Sequence, residues 1–256
     1  MRRPEKFIWI SSAPGAHGKF LQSLMFWLSN DIVPTEKFKT IINYHDQGAS
    51  VQGYTNVGRT GTLPIKSISD VTFNGDNGCS TMVFAGGMEL FHDRTDYKDI
   101  IDSFGRFKWI TVTMEEPDWL SIDLNHYFKL DRKLYTEFIP DKGRLQFEDP
   151  KVAVDIIKQC YALPKFTDRR KEFSLESYQR QLQHFDIGYR PVFDHLEFRD
   201  ILSRPEYVMT KMSEWCEKPV NDFIRTTYLK YVEAQKAFLS KINPAHFLVA
   251  DSGQLN

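Results

Sequence analysis

A glycine-containing turn near the start of the chain holds the residues best suited to chemistry. It is the segment 12–19 (SAPGAHGK), which lies between an apolar, β-rich run at residues 7–11 and an apolar helical run at residues 20–28. The first amides of a helix attract anions, and Gly15 and Gly18 allow close backbone approach and positive φ angles. Because a lysine also stands in the first helical turn, the segment is predicted to bind an anion.

The turn matches only part of the nucleotide-binding pattern G-x-x-x-x-G-K-[ST]. Ala13 replaces the first glycine, and Phe20 replaces the hydroxyl residue that would bind Mg²⁺. Three interpretations stay open: a loop that binds an anion without Mg²⁺, a loop whose metal is held differently, and a tight strand–helix connection with an incidental Lys19. His17 is either a donor or proton carrier for the anion or a partly exposed loop histidine.

Strands and helices alternate in the first half of the sequence. Further buried strands are predicted at residues 81–85 and 109–114, and helices at residues 97–104 and 118–128. Residues 43–77 are rich in Gly, Thr, Ser and Asn, which predicts loops and short strands. The alternation favours an α/β fold with a parallel sheet covered by helices.

The second half of the sequence is predicted to be mostly helical. Helices are expected at residues 175–185, 207–216 and 221–242. The charged run at residues 168–172 is interpreted as a solvated loop or helix start. Since no internal repeat or low-complexity tract divides the chain, residues 1–256 are expected to form one domain.

Composition and charge exclude several classes of protein. The chain has 256 residues, 41% hydrophobic and 26% charged, with a formal net charge of -1, so bulk attraction to nucleic acid or to a membrane is not expected. Three cysteines without C-x-x-C spacing argue against a disulfide framework or a zinc site. The sequence has no apolar run of about 18 residues and no secretory signal pattern. We therefore expect a cytoplasmic protein.

Residues 12–21 (SAPGAHGKFL) resemble the 5′-phosphosulfate loop of sulfotransferases, T-x-P-K-S-G-T-T-W-L. Pro14 falls on the family proline, and the Phe-Leu pair falls on the family Trp-Leu. Gly15 stands at the family lysine, and Lys19 stands at the second threonine. The family glycine is shifted by one residue, to Gly18.

Two further segments resemble the same family, in the same order along the chain. Residues 108–128 are similar to I-x-V-x-R-N-P-x-D-x-x-x-S-x-x-x-F, in which the arginine and the serine grip the 3′-phosphate of the donor. Glu115 and Asp123 stand at these two positions, with Ser121 as a nearby substitute. Residues 196–220 are similar to a strand end and packing helix of the family, whereas its R-K-G-x-x-G-D-W loop is absent. The likeness is closest to divergent sulfotransferase-like proteins of bacteria and viruses.

The resemblance implies a P-loop NTPase-like three-layer fold with a central parallel sheet and a helical C-terminal half. It also implies a sulfotransferase-like enzyme that moves a sulfuryl group, without a metal, from 3′-phosphoadenylyl sulfate to a hydroxyl or amine of a small-molecule or biopolymer acceptor. Lys19 is the implied catalytic cation, and His92 and His45 are candidate general bases, although both also fit ordinary surface histidines. The implied cofactor-binding residues are Pro14, Gly15, Ala16, His17, Gly18, Lys19, Phe20 and Ser121.

Two other functions stay open. Residues 109–116 form an apolar strand that ends in acid, like a Walker B segment. A kinase for nucleotides or nucleic-acid bases, using Mg-ATP bound through Gly18, Lys19 and Glu115, is therefore one alternative. A non-catalytic member of the fold is the other, favoured by Glu115 and Asp123 because carboxylates repel a 3′-phosphate.

Overall fold

The structure is a computed structural model that describes part of the chain. The described residues are 6–13, 15–32, 41–45, 48–52, 57–59, 71–73, 80–86, 106–115, 118–129, 154–155, 157–159, 161, 167, 170–171, 173–183 and 192–242. The helix predicted at residues 97–104 lies outside them.

Eight strands and six helices are defined within the described residues. The strands are β1 (Lys6–Ser11), β2 (Ile41–His45), β3 (Gly48–Gln52), β4 (Val57–Arg59), β5 (Val71–Phe73), β6 (Thr81–Gly86), β7 (Arg106–Thr113) and β8 (Val192–Glu197). The helices are α1 (Gly18–Asn30), α2 (Asp118–Lys129), α3 (Leu175–Gln183), α4 (Phe198–Ser203), α5 (Pro205–Cys216) and α6 (Asp222–Ile242).

A four-stranded parallel sheet forms the centre of the fold, in the order β6-β1-β7-β8. The central strand β1 is buried along its whole length, as expected for an apolar run covered on both faces. The predicted parallel sheet is thus confirmed, and the three strands predicted from apolar runs are its first three members. β2–β3 and β4–β5 are separate antiparallel pairs, in the region predicted to hold loops and short strands.

Helices cover both faces of this sheet. The Trp109 ring packs edge-on against Tyr178 of α3, with ring centroids 5.8 Å apart. The neighbouring Lys108 donates from Nζ to the backbone carbonyl of Trp215 at the end of α5, at 3.0 Å. Since successive side chains of a strand point to opposite faces, α3 and α5 lie on opposite sides of the sheet. The layering is therefore compatible with a three-layer α/β fold.

The strand order predicts a crevice at the carboxyl ends of β1 and β7. After β1 the chain crosses to β6 on one side, and it later returns to β7 on the other side. Such a change of direction opens a crevice between adjacent strands, and open α/β sheets bind ligands there. The predicted anion-binding turn follows β1, and Glu115 follows β7, so both flank this crevice.

Within the described part of the chain, no helix combines the length and the apolar character needed to cross a lipid bilayer.

Candidate functional site

The turn after β1 is a tight connection with two residues in the left-handed region. The amide of Ala16 donates to the carbonyl of Ala13 at 3.0 Å. Gly15 has a φ of 91° and His17 a φ of 60°. Helix α1 then begins at Gly18, and its first internal hydrogen bond runs from the Leu21 amide to the His17 carbonyl, at 3.1 Å. The first amides of α1 therefore stand directly after the turn, at the crevice.

Gly18 is required by packing, whatever the turn binds. A Cβ atom added at this position would lie 1.9 Å from Oγ of Ser12 and 2.9 Å from its Cβ. Contacts below 3.0 Å are not tolerated without movement, so the start of α1 packs directly on the end of the β1 segment. This close approach was not evident from the sequence, where the glycine suggested room for a ligand.

His17 is buried, which corrects the interpretation of a partly exposed loop histidine. Its side chain turns into the core: Nδ1 is hydrogen-bonded to the hydroxyl of Tyr231 at 2.8 Å. The imidazole also stacks on Phe198, with ring centroids 5.3 Å apart and an interplanar angle of 8°. With these partners, the imidazole holds the turn to helices α4 and α6.

Phe20 belongs to the core and replaces the Mg²⁺-binding hydroxyl with an aromatic contact. Its ring stacks on Tyr231, with centroids 3.6 Å apart and an angle of 8°, and it packs at 5.4 Å on Tyr228. A buried aromatic ring supplies no ligand to a hard cation. The turn thus lacks the metal ligand that follows the lysine in Mg-nucleotide loops.

Lys19 is the exposed cation of the turn. It stands between the buried Gly18 and Phe20 in the first turn of α1, and its side chain faces solvent. At this end of a helix the amides and the dipole are already positive. A further point charge adds to the attraction for an anion in the crevice.

A cluster of charged residues lies on the other side of the crevice, after the ends of β7 and β8. Arg199 pairs with the carboxylates of Glu115, Asp118 and Glu197. Asp118 is buried, and its Oδ2 also accepts from the Glu115 amide at 2.9 Å. Burial opposes the charge of Arg199, but Asp118, Glu115 and Glu197 raise its pKa overall. The guanidinium therefore stays charged and neutralises only part of this acidic cluster.

This cluster includes Glu115, which stands where the sulfotransferase pattern has an arginine. Among the described residues, three carboxylates surround one guanidinium, so the excess charge of this cluster is negative and unfavourable for a 3′-phosphate. Ser121 and Asp123 are fully buried in α2, and the Ser121 hydroxyl has no hydrogen-bond partner among the described residues. In this arrangement, neither side chain is exposed to a nucleotide in solvent.

The structure describes only some of the remaining predicted site residues. Ala16, which is part of the turn, is fully buried. His45 is the last residue of β2 and pairs in register with Gly48, and its side chain is outside the description. Pro14 and His92 lie outside the described residues. No group of three or more His, Cys, Asp or Glu side chains that could hold a metal ion occurs in the described ranges.

Two site residues, Arg199 and Tyr231, were missed by the sequence reasoning. Arg199 stands two residues after the end of β8, a position from which side chains reach a crevice. Half of the residues of this strand (VFDHLE) are polar, so it carries no clear apolar signal. Tyr231 lies 214 residues from His17 along the chain. The sequence contains no local pattern that points to this contact.

Comparison of the chain with protein-family models, with curated proteins and with solved structures finds no match. The likeness to sulfotransferases thus rests on the residues quoted above and stays a prediction.

Proposed function

We propose that this protein is a sulfotransferase-like transferase that binds the phosphosulfate end of a nucleotide donor at the turn after β1. The observation that carries the proposal is the pairing of an exposed Lys19 with a buried Phe20 at the start of α1. An anion there meets helix amides and a cation, while the side chain after the lysine contributes to the core and not to a metal site. Metal-free transfer fits this combination better than Mg-dependent transfer.

The proposed donor is 3′-phosphoadenylyl sulfate. The residues of the site fit its phosphosulfate better than its 3′-phosphate. The donor supplies an activated sulfuryl group. The first amides of α1 and Lys19 would hold its phosphosulfate oxygens and stabilise the charge that develops on the leaving phosphate. The acidic cluster of Glu115, Asp118 and Glu197 does not suit a 3′-phosphate, so we assign no residue to that group.

Transfer needs an acceptor and a base as well as the turn. The bond from sulfur to the bridging phosphate oxygen breaks as a bond from sulfur to the acceptor oxygen or nitrogen forms. The acceptor proton passes to a general base, for which His45 and His92 are the candidates. The β2–β3 hairpin that carries His45 contacts α6, the helix that also supports the turn through Tyr231.

A kinase that uses Mg-ATP is the second candidate. The observation in its favour is that Glu115 and Asp118 follow β7, the strand next to β1, where kinases place acidic groups around the metal. In this protein both carboxylates pair with Arg199. A metal would have to displace that guanidinium, so we rank the kinase second.

Lys19→Ala is expected to weaken binding of adenosine 3′,5′-bisphosphate, the desulfated donor, about tenfold, because an exposed charged contact to the anion is lost. Isothermal titration calorimetry measures the dissociation constant. Lys218→Ala is the matched control. Lys218 pairs with Asp31 at the far end of α1, roughly 20 Å from the turn, so the control removes the same charge without touching the site.

Thermal shift assays with the bisphosphate and with ATP, each with and without Mg²⁺, separate the candidate functions. A ligand at a hundred times its dissociation constant stabilises the folded state by about 2.7 kcal/mol. Stabilisation by the bisphosphate without metal supports the proposal. Stabilisation by Mg-ATP alone supports the kinase, and no shift with either supports a non-catalytic protein. Equal affinities of wild type and Lys19→Ala for the bisphosphate would show that the turn does not bind the donor.

A further inference from the structure

Tyr231 of α6 contacts the anion-binding turn on both sides of its exposed lysine. The hydroxyl is hydrogen-bonded to Nδ1 of His17 at 2.8 Å. The ring of the same tyrosine stacks on Phe20 at 3.6 Å. These two turn residues bracket Gly18 and Lys19. One buried side chain of a distant helix therefore holds both ends of the short segment that carries the amides and the cation.

The left-handed conformation of His17 needs such support. A residue with a Cβ atom is unfavourable at a φ of 60°, and glycine is the usual choice. The imidazole is fixed by the stack on Phe198 and by the hydrogen bond to Tyr231. Of these two contacts, the hydrogen bond is the directional one, and it sets the orientation of the ring.

We propose that Tyr231 is a positioning residue of the anion-binding turn. Its hydroxyl group holds His17 in the left-handed conformation, and this conformation fixes the direction in which the first amides of α1 and Lys19 meet the anion. The inference rests on the proposed function for the identity of the ligand. The geometric part, which is that the hydroxyl orders the turn, is independent of it.

Tyr231→Phe tests this role, and Tyr228→Phe is its matched control. Both tyrosines are buried in α6, and each hydroxyl takes part in a buried hydrogen bond of 2.8 Å. The Tyr228 hydroxyl donates to the carbonyl of Ile201 in α4, not to the turn. Each substitution keeps the aromatic ring and removes the hydroxyl with its 2.8 Å hydrogen bond, so both variants are expected to lose stability in urea unfolding.

The effect on the turn distinguishes the two variants. Tyr231→Phe is expected to bind adenosine 3′,5′-bisphosphate about tenfold more weakly than wild type, and Tyr228→Phe with unchanged affinity. Native-state hydrogen exchange of the Ala16 and Leu21 amides, which donate to the carbonyls of Ala13 and His17, is expected to be about tenfold faster in Tyr231→Phe alone. Equal changes in the two variants would show a general packing effect and overturn the inference.

A double-mutant cycle with His17→Gly tests whether the Tyr231 hydroxyl acts through its hydrogen bond to His17. Glycine adopts the left-handed conformation without support, so Tyr231→Phe should have no further effect on affinity or exchange in that background. An undiminished effect would show that the Tyr231 hydroxyl does not act through His17 and would overturn the inference.

Hydrogen exchange also separates this inference from the proposed function. If wild type binds no bisphosphate, the proposed function fails, and the exchange rates still decide the role of Tyr231. Faster exchange at the turn in Tyr231→Phe, but not in Tyr228→Phe, supports the positioning role. Unchanged exchange in both variants overturns it.

Discussion

Gly18→Ala is expected to lower the free energy of unfolding by about 1–3 kcal/mol, the usual cost of overpacking a close-packed site. The added Cβ would approach the Ser12 Oγ to 1.9 Å and its Cβ to 2.9 Å. Rotation of the hydroxyl relieves the first contact but not the second, because the Ser12 Cβ is fixed to the backbone. Urea unfolding followed by tryptophan fluorescence measures the change.

The sign of this effect is informative because helix propensity predicts the opposite. Alanine in a helix is ordinarily more favourable than glycine by about 0.5–1 kcal/mol. The double variant Ser12→Gly with Gly18→Ala removes both clashing atoms and leaves the Cβ of Ala85 at an ordinary 3.6 Å. It is expected to recover most of the lost stability. A Gly18→Ala protein as stable as wild type would contradict the packing described here.

The strands and the first helix could be predicted because their signals are local. The runs that form β1, β6 and β7 are short, apolar and bounded by turn residues, and α1 is apolar on nearly every turn. The sheet order was not predictable in the same way. It depends on which strands pair across long stretches of chain, and this order predicts the crevice beside the turn.

The turn illustrates where sequence reasoning about a site ends. Its position after β1 and the place of Lys19 in the first turn of α1 were predicted from the pattern of residues. The orientation of His17 was not, because the decisive partner, Tyr231, is 214 residues away. For Gly18, the sequence indicated conformational freedom, whereas the structure gives a steric reason that depends on Ser12.

The acidic end of β7 shows a second limit. Glu115 was identified from the sequence as either a metal-positioning acid or a departure from the sulfotransferase pattern. The pattern could not reveal that Arg199, from the start of α4, would pair with it. That ion pair changes the chemistry available to Glu115, because a carboxylate paired with a guanidinium is less free to hold a metal.

An ion cluster at the opposite, amino edge of the sheet carries the second large prediction. Lys6 of β1 and Lys108 of β7 are both buried, and their Nζ atoms lie 3.2 Å and 3.0 Å from Oε1 of Glu217. Arg106 pairs with the other carboxylate oxygen at 2.9 Å. Burial lowers the pKa of Lys6, and its ion pair with Glu217 opposes that shift. One carboxylate thus compensates two buried ammonium groups.

Glu217→Gln is expected to lower the free energy of unfolding by about 1–3 kcal/mol. Removing one partner of a fully buried ion pair costs about 3–5 kcal/mol, but the Glu217 side chain is 47% exposed, so solvent screens part of the loss. Glutamine keeps the length of the side chain and the same left-handed backbone, whose φ is 57°. Urea unfolding at neutral pH measures the change.

Glu206→Gln is the control for this substitution. Glu206 lies at the start of α5, the helix that Glu217 directly follows, and it pairs with Arg225 in an exposed ion pair, which contributes about 0–1 kcal/mol. A loss for Glu217→Gln no larger than that for Glu206→Gln would mean that the two lysines do not depend on the carboxylate.

The stabilisation by Glu217 is also expected to vanish in acid. The hydrogen bond from Lys108, and after it the ion pair with Lys6, lowers the pKa of Glu217 from 4.5 to about 2 against the effect of burial. A carboxylate whose pKa is lower in the folded state stabilises that state above its unfolded pKa and loses the effect as pH falls through the folded pKa. The stability difference between wild type and Glu217→Gln should therefore be constant from about pH 7 to pH 5 and shrink between about pH 4.5 and pH 2. Other carboxylates titrate in both proteins and cancel in this difference, so a difference that persists at the acidic end would assign the effect of the substitution to packing and not to charge.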